Sequence, residues 1–273
     1  MLGNFVFDID GAMAIAVDYE KEKVEKKVIE KLGQAYFEKY CLTALDYPHY
    51  IFPGYYALFR WLHAKGGKLF FFSSGIEARN LELAEKIIKR SFGDAADTIA
   101  YQVFSRKHCI DTRYIPEEEI KKYQSFHYGQ RKKKLAGIVV PPEEITNSLL
   151  IEDDYSYMVK GEEYNLVCVR YAYKYLQNGS FNEDAYAIFH KAYYLAGLFD
   201  KMFALQEQED ISLMEAAKRV QIDEEGEELS RDFRYPGKNR VEYFVKGRAI
   251  LQPFDEDTLE FYYPIPDTLE RDL

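Results

Sequence analysis

Short, wholly apolar runs recur through the first two-thirds of the chain, each parted from the next by an amphipathic stretch. Few folds accept that alternation. Asn4-Phe5-Val6-Phe7 reads as a buried strand ending at Asp8. Lys68 to Phe72 reads as a second, closed by Ser73-Ser74-Gly75, and Ile99 to Phe104 as a third. Ser148 to Glu152 reads as a fourth, closed by Asp153-Asp154, and Asn165 to Arg170 as a fifth. Between the strands lie helical patterns. Residues 18–40 carry Val24, Val28, Leu32 and Tyr36 at every fourth position. Pro53-Gly54 opens a helix with Leu58, Trp61 and Leu62 on one face, Gly66-Gly67 stops it, and a third helix spans 77–91. Strands without polar alternation are buried on both faces, so the pattern predicts an α/β fold with a parallel sheet and helices on both of its faces.

From about residue 176 the texture changes. Residues 183–206 form a helical pattern rich in Tyr, Phe, Ala and Leu, and 209–220 form another. An acidic stretch from Asp223 to Glu228 follows, then hairpin-like and Pro-broken segments near Val241-Phe244 and Tyr262-Pro266. This divides the chain into a core over 1–175, with a helical insertion or lid over 13–52, and a mainly helical C-terminal region over 176–273. That region is expected either to pack on the sheet or to form a small domain. The 36 Lys and Arg against 46 Asp and Glu, a net charge of −10, argue against general nucleic-acid binding. Cys41, Cys109 and Cys168 are far apart and form no CxxC pair, which speaks against structural zinc or a disulfide framework. No apolar run is long enough to span a bilayer, and the first residues do not resemble a secretion signal. These features predict a cytoplasmic protein.

In an open parallel sheet, ligands bind beyond the carboxyl ends of the strands. Asp8-Ile9-Asp10-Gly11 follows the first strand, and residues two apart in an extended segment point the same way, so two carboxylates face one site. Gly11 permits the sharp turn that follows. Ser73-Ser74-Gly75 offers a hydroxyl and backbone N–H groups at a helix start, which suits an anion. Asp153-Asp154 offers hard oxygen ligands for Mg²⁺. Lys132-Lys133-Lys134 supplies positive charge. Such a set can transfer a phosphoryl group: one carboxylate attacks phosphorus, a second moves protons, and cations neutralise the phosphoryl oxygens. Weaker signals read as structural. Cys109 and Arg113 are too close for the loop of cysteine-dependent phosphatases. The five His form no metal-ligand spacing, and Gly66-Gly67-Lys68 lacks the upstream glycine of a P-loop.

The four elements, in this order, resemble the haloacid-dehalogenase (HAD) superfamily of phosphatases. Phe5 to Gly11 looks like its first motif, Phe70-Phe71-Phe72-Ser73-Ser74 its second, one lysine of 132–134 its third, and Leu149 to Asp154 its fourth. Phe52 to Leu62 resembles the helix before the second motif. The resemblance covers roughly residues 3–175 and implies a Rossmann-like HAD core with short lid insertions. It implies Asp8 as nucleophile, Asp10 as general acid and base, and Ser73 on the phosphoryl group with Ser74, Gly75 and Gly11 around it. It also implies Mg²⁺ held by Asp8, the Asp10 main-chain carbonyl and Asp153, with Asp154 assisting. Lys133 is favoured as the lysine because Lys133-Lys134-Leu135 is similar to the Lys-x-Leu of the protein-phosphatase branch; Lys132 and Lys134 stay open. One position departs: the family has Thr or Val two residues after the acid, and Ala12 stands here.

Between Asp8 and Ser73 lie 64 residues, and between Ser73 and Lys133 lie 59, which leaves room for short lids and for no large cap domain. The expected substrate is therefore bulky, such as a phosphoprotein. The motif spacing is similar to capless carboxy-terminal-domain protein phosphatases. The aromatic-rich C-terminal region is similar to bacterial effector phosphatases of HAD type acting on phosphotyrosine, which implies delivery to a host cell. A rival expectation is a catalytically weak HAD scaffold. Its C-terminal region would dock a partner protein or an anionic membrane through Arg231, Arg234, Lys238, Arg240 and Lys246. A third is a small-metabolite phosphatase or a phosphotransferase.

Overall fold

A computed structural model describes residues 3–16, 34–123, 130–169, 191–220 and 238–255. In chain order they form β1 (Asn4–Phe7), β2 (Ala14–Ala16), α1 (Gln34–Tyr40), β3 (Cys41–Ala44), β4 (Tyr47–Ile51), α2 (Tyr55–Ala64), β5 (Lys68–Phe72) and α3 (Glu77–Phe92). Then come β6 (Tyr101–Phe104), β7 (Ile110–Asp111), α4 (Glu117–Ile120), β8 (Arg131–Lys132), β9 (Ser148–Glu152), β10 (Leu166–Cys168), α5 (Lys191–Glu209), α6 (Leu213–Val220) and α7 (Lys238–Leu251). Five of the strands build one all-parallel sheet in the order β10-β9-β1-β5-β6. The architecture is α/β and Rossmann-like, with the strand of the Asp-x-Asp sequence at its centre.

The side-chain parity of the strands sorts the core into two layers. Phe5 and Phe7, Leu69 and Phe71, and Leu149 and Ile151 face one way, against α2, α3, α5 and α6. Phe5 meets Phe199 and Phe203 of α5 at 5.2 and 5.9 Å between ring centres, and Phe7 meets Phe59 of α2 at 5.0 Å. Loss of one such ring costs about 3–5 kcal/mol. Val6, Phe70, Phe72 and Leu150 face the other way, against Leu135, Val139, Val140 and Met158. This second face corrects the expectation of helices on both sides: among the described residues it is covered by turns and 3₁₀ segments. Lys133 reaches the sheet from that irregular cover.

Where it is described, the C-terminal region packs on the sheet, the first of the two arrangements expected for it. All of Lys191 to Phe199 in α5 is buried in the main core. Helices α5 and α7 cross at Gly197 and Gly247, where a β-carbon on either glycine would collide with the other helix's backbone. The segment around Val241-Phe244, expected as hairpin-like, lies inside α7. Packing against α5 decides its conformation, where four residues of sequence do not. The helix expected over 209–220 begins at Leu213, after Asp210 adopts a left-handed φ of 52°. In the expected helical insertion over 13–52, the described part is mainly the antiparallel sheet β2-β4-β3, with α1 as its one helix. Residues 17–33 of that insertion, 183–190, Arg170, the 175/176 boundary, the 223–228 stretch and Tyr262-Pro266 lie outside the described residues.

Candidate active site

The pairing of β1 with β9 runs in parallel register, Phe7 opposite Ile151, so the next residues, Asp8 and Glu152, emerge side by side. The N–H of Asp8 donates to the Ile151 carbonyl at 2.8 Å and continues the ladder to the strand tip. Lys133 fills the gap between the two carboxylates. Its Nζ donates to Asp8 Oδ1 at 2.5 Å and also to Glu152 Oε2, with all three side chains almost completely buried. The ammonium lies 4.5 Å from the centre of the Tyr157 ring. Lys133 is thus the lysine of the run that reaches the site. Lys132 donates instead to the Ser156 carbonyl at 2.7 Å, and Lys134 is partly exposed.

Asp8, Glu152 and Asp153 each present a carboxylate oxygen, and these atoms lie within 4.8 Å of one another. Three hard oxygens at that separation fit a small divalent cation such as Mg²⁺. Gly11, at φ +87°, is required here: a β-carbon on it would lie 2.5 Å from Asp153 Cγ and 2.8 Å from Oδ1. The bare turn lets Asp153 close on the first loop. Asp154, expected to assist, is not in this cluster. It is exposed, and its carboxylate accepts the N–H of Ser156 at 2.8 Å and caps the 3₁₀ turn Tyr155–Tyr157. Glu152 takes the inner position because it is the last residue of β9, level with Asp8, whereas Asp154 lies past the strand end and caps the turn that follows.

The electrostatics follow from burial. Burial, then the Glu152 charge, push the Asp8 carboxyl well above its ordinary value, against the pull of Lys133. Burial likewise raises Glu152 to about 8 and Asp153 to about 6. Burial disfavours the Lys133 ammonium too, but Asp8 and Glu152 outweigh it and hold the ammonium charged above its usual range. A second buried amine arrives from α5. Lys191 Nζ donates to the Gly11 carbonyl at 2.5 Å and sits 4.7 Å from the Phe52 ring centre. Burial lowers its pKa while the nearby Asp153 opposes that shift. When all three carboxyls are ionised, the two ammonium groups leave one net negative charge, which a divalent cation would reverse.

The outer side of the site is built differently. The Asp10 carboxylate accepts Ser73 Oγ at 2.8 Å and Arg79 Nη1 at 2.9 Å, and Arg79 Nη2 closes a two-point clamp on it. Ser73 Oγ also accepts the Gly75 N–H and Arg79 Nη2, each at 3.1 Å. The Ser73 N–H donates to the Phe104 carbonyl at 3.1 Å. The backbone donors expected to be open for an anion at Ser73 and Gly75 are therefore engaged internally. The Ser74 hydroxyl meets the Tyr157 hydroxyl at 2.9 Å. At Ala12 no side chain reaches Asp10; Tyr55 Oη holds that turn instead by donating to the Ala12 carbonyl at 2.9 Å.

The structure thus brings together Asp8, Asp10, Gly11, Ser73, Gly75, Lys133 and Asp153, with Ser74 beside them on Tyr157, and leaves Asp154 outside. Sequence reasoning missed Glu152, Tyr55, Arg79 and Lys191. Glu152 carried a signal, an acid at the tip of an apolar strand. Lys191 carried a fainter one, a charge at the head of the uncharged run Ala192 to Phe199. Comparison of the chain with protein-family models, curated proteins and solved structures found no match.

Proposed function

We propose that this chain is a Mg²⁺-dependent phosphomonoester hydrolase of the HAD type, working through an aspartyl-phosphate on Asp8. The observation that carries the reading is the meeting of Asp8, Lys133, Glu152 and Asp153 in one buried cluster at the sheet's carboxyl edge. They come from positions as far apart as Asp8 and Asp153, 145 residues, and in the order the motifs predict.

Asp8 attacks the phosphorus of the ester, a bond forms from its carboxylate oxygen, and the bond from phosphorus to the leaving oxygen breaks. Asp10 gives that oxygen its proton. Water then attacks the phosphorus of the acyl phosphate, Asp10 takes the water's proton, and Asp8 is released with inorganic phosphate. Lys133 pulls Asp8 toward its ionised form against burial and orients it. Asp8, Asp153 and the Asp10 carbonyl would hold Mg²⁺, with Glu152 adjacent, and the ion would supply charge that offsets repulsion between carboxylate and phosphate. Tyr55 and Lys191 hold the turn that follows the acid through the Ala12 and Gly11 carbonyls, work that the family assigns in part to the residue replaced by Ala12.

The substrate is a bulky phosphoester such as a phosphoprotein, phosphotyrosine proteins among them. The support is the motif spacing, 64 residues between Asp8 and Ser73 and 59 between Ser73 and Lys133, and the outward position of Asp10, whose side chain is 38% exposed. Lys246, offered to a partner in the scaffold reading, pairs instead with Asp200 at 2.6 Å between α7 and α5. Arg231 and Arg234 lie outside the described residues.

Hydrolysis of an aryl phosphate tests the reading. Activity is expected with Mg²⁺, none with EDTA, and a drop of at least about a thousandfold in a folded Asp8→Asn variant. A phosphopeptide and metabolite panel then ranks substrates. Wild-type protein as silent as the variant would overturn the enzyme in favour of the scaffold.

A further inference from the structure

We infer that Arg79 is the residue that recognises the substrate's phosphoryl group, and that the Asp10 carboxylate occupies its fork in the empty site as a stand-in for the phosphoryl oxygens. This rests on the phosphatase reading and names a phosphate-binding residue that none of the four motifs contains.

The geometry points this way on three counts. A guanidinium fork matches carboxylate and phosphate alike, two donors to two oxygens, so one anion can replace the other without rebuilding the donor. Arg79 already spans both halves of the expected phosphate cradle: Nη1 and Nη2 hold Asp10, and Nη2 reaches Ser73 Oγ at 3.1 Å. The fork is also fixed independently of Asp10. Asn80 Oδ1 accepts Nε at 3.1 Å and Nη2 at 2.8 Å, and the fully buried Asn80 is itself anchored through Nδ2 to the Ser73 carbonyl at 3.3 Å. The Arg79 side chain is 14% exposed, so it is oriented yet open to a ligand.

The test uses inorganic phosphate and an aryl phosphate on the full chain with Mg²⁺. Calorimetry is expected to show phosphate binding to wild type weakened roughly ten- to hundredfold in Arg79→Gln and partly restored in Arg79→Lys. The KM for the aryl phosphate should rise in parallel. Asp10→Asn, which loses turnover, should bind phosphate more tightly than wild type, and that gain should vanish in the Arg79→Gln background. Unchanged phosphate affinity in a folded Arg79→Gln or Arg79→Lys, or a fall in kcat alone with a shifted pH profile, would overturn the inference and leave Arg79 as a positioning residue for Asp10. Absence of hydrolysis by wild type with the phosphate-binding pattern intact would overturn the phosphatase reading and not the arginine.

Discussion

Asp8 and Asp10 stand two residues apart and live in different worlds. Asp8 is 4% exposed, bonded to a buried lysine and crowded by Glu152 and Asp153; Asp10 is 38% exposed and held in an arginine fork. The inner half of the site is a concentration of charge withdrawn from water, where each ion depends on its neighbours because nothing else solvates it. The outer half is an exchangeable arrangement at the surface, where water or an incoming anion can take over each contact. In the hydrolase proposed above, the contrast would separate two tasks. A nucleophile must be kept dry and fixed, whereas a proton carrier must reach both substrate and solvent.

The largest test of that contrast is Lys133→Ala. It leaves Asp8 and Glu152 without their shared counter-charge, and a destabilisation of about 3–5 kcal/mol is expected in denaturant unfolding. A change under about 1 kcal/mol would mean that the inner half is wetter than its burial indicates.

The next effect is a dependence on pH and metal together. With Glu152 raised to about 8 and Asp153 to about 6, the folded protein keeps protons that the unfolded chain releases above its ordinary carboxylate range. The folded state binds more protons than the unfolded one in that window, so stability in EDTA falls as pH rises from about 5 to 8. Mg²⁺ displaces those protons and should flatten the slope, stabilising more at pH 8 than at pH 5.5. Thermal unfolding across that range, with EDTA and with Mg²⁺, reads it directly. A parallel pair of curves would remove the metal from this cluster.

The smallest expected effect is at Asp154→Asn. Asn caps as well as Asp does, so melting should move by no more than about 2 °C and turnover by less than about twofold. Loss of Mg²⁺-dependent activity in this variant would instead return Asp154 to the metal and displace Glu152.

Much of the fold was legible because its strands are apolar throughout. A run such as Phe5-Val6-Phe7 or Phe70-Phe71-Phe72 has one satisfactory place, the middle of a sheet covered on both faces, and Asp8, Ser73 and Asp153 follow such runs directly. The turn-covered second face was not legible. Leu135, Val139 and Val140 are apolar without period, so nothing in their order says what they cover. The β2-β4-β3 sheet was hidden by its brevity and by the Pro48 and His49 it contains.

The sequence by itself determined a parallel α/β sheet and the identity of the strand-end residues, because periodicity and strand termination are local properties of a chain. Tertiary structure alone decided which carboxylate lies inside and which outside. The register of β1 against β9 puts Glu152, and not Asp154, beside Asp8. The packing of α5 on the sheet brings Lys191 to the Gly11 carbonyl across 180 residues of chain. The turn of α3 sets Arg79 on Asp10. Each of these is a meeting of charges distant in sequence. Which of them meet depends on the burial of apolar faces elsewhere, and the charges accept the partners that the core leaves within reach.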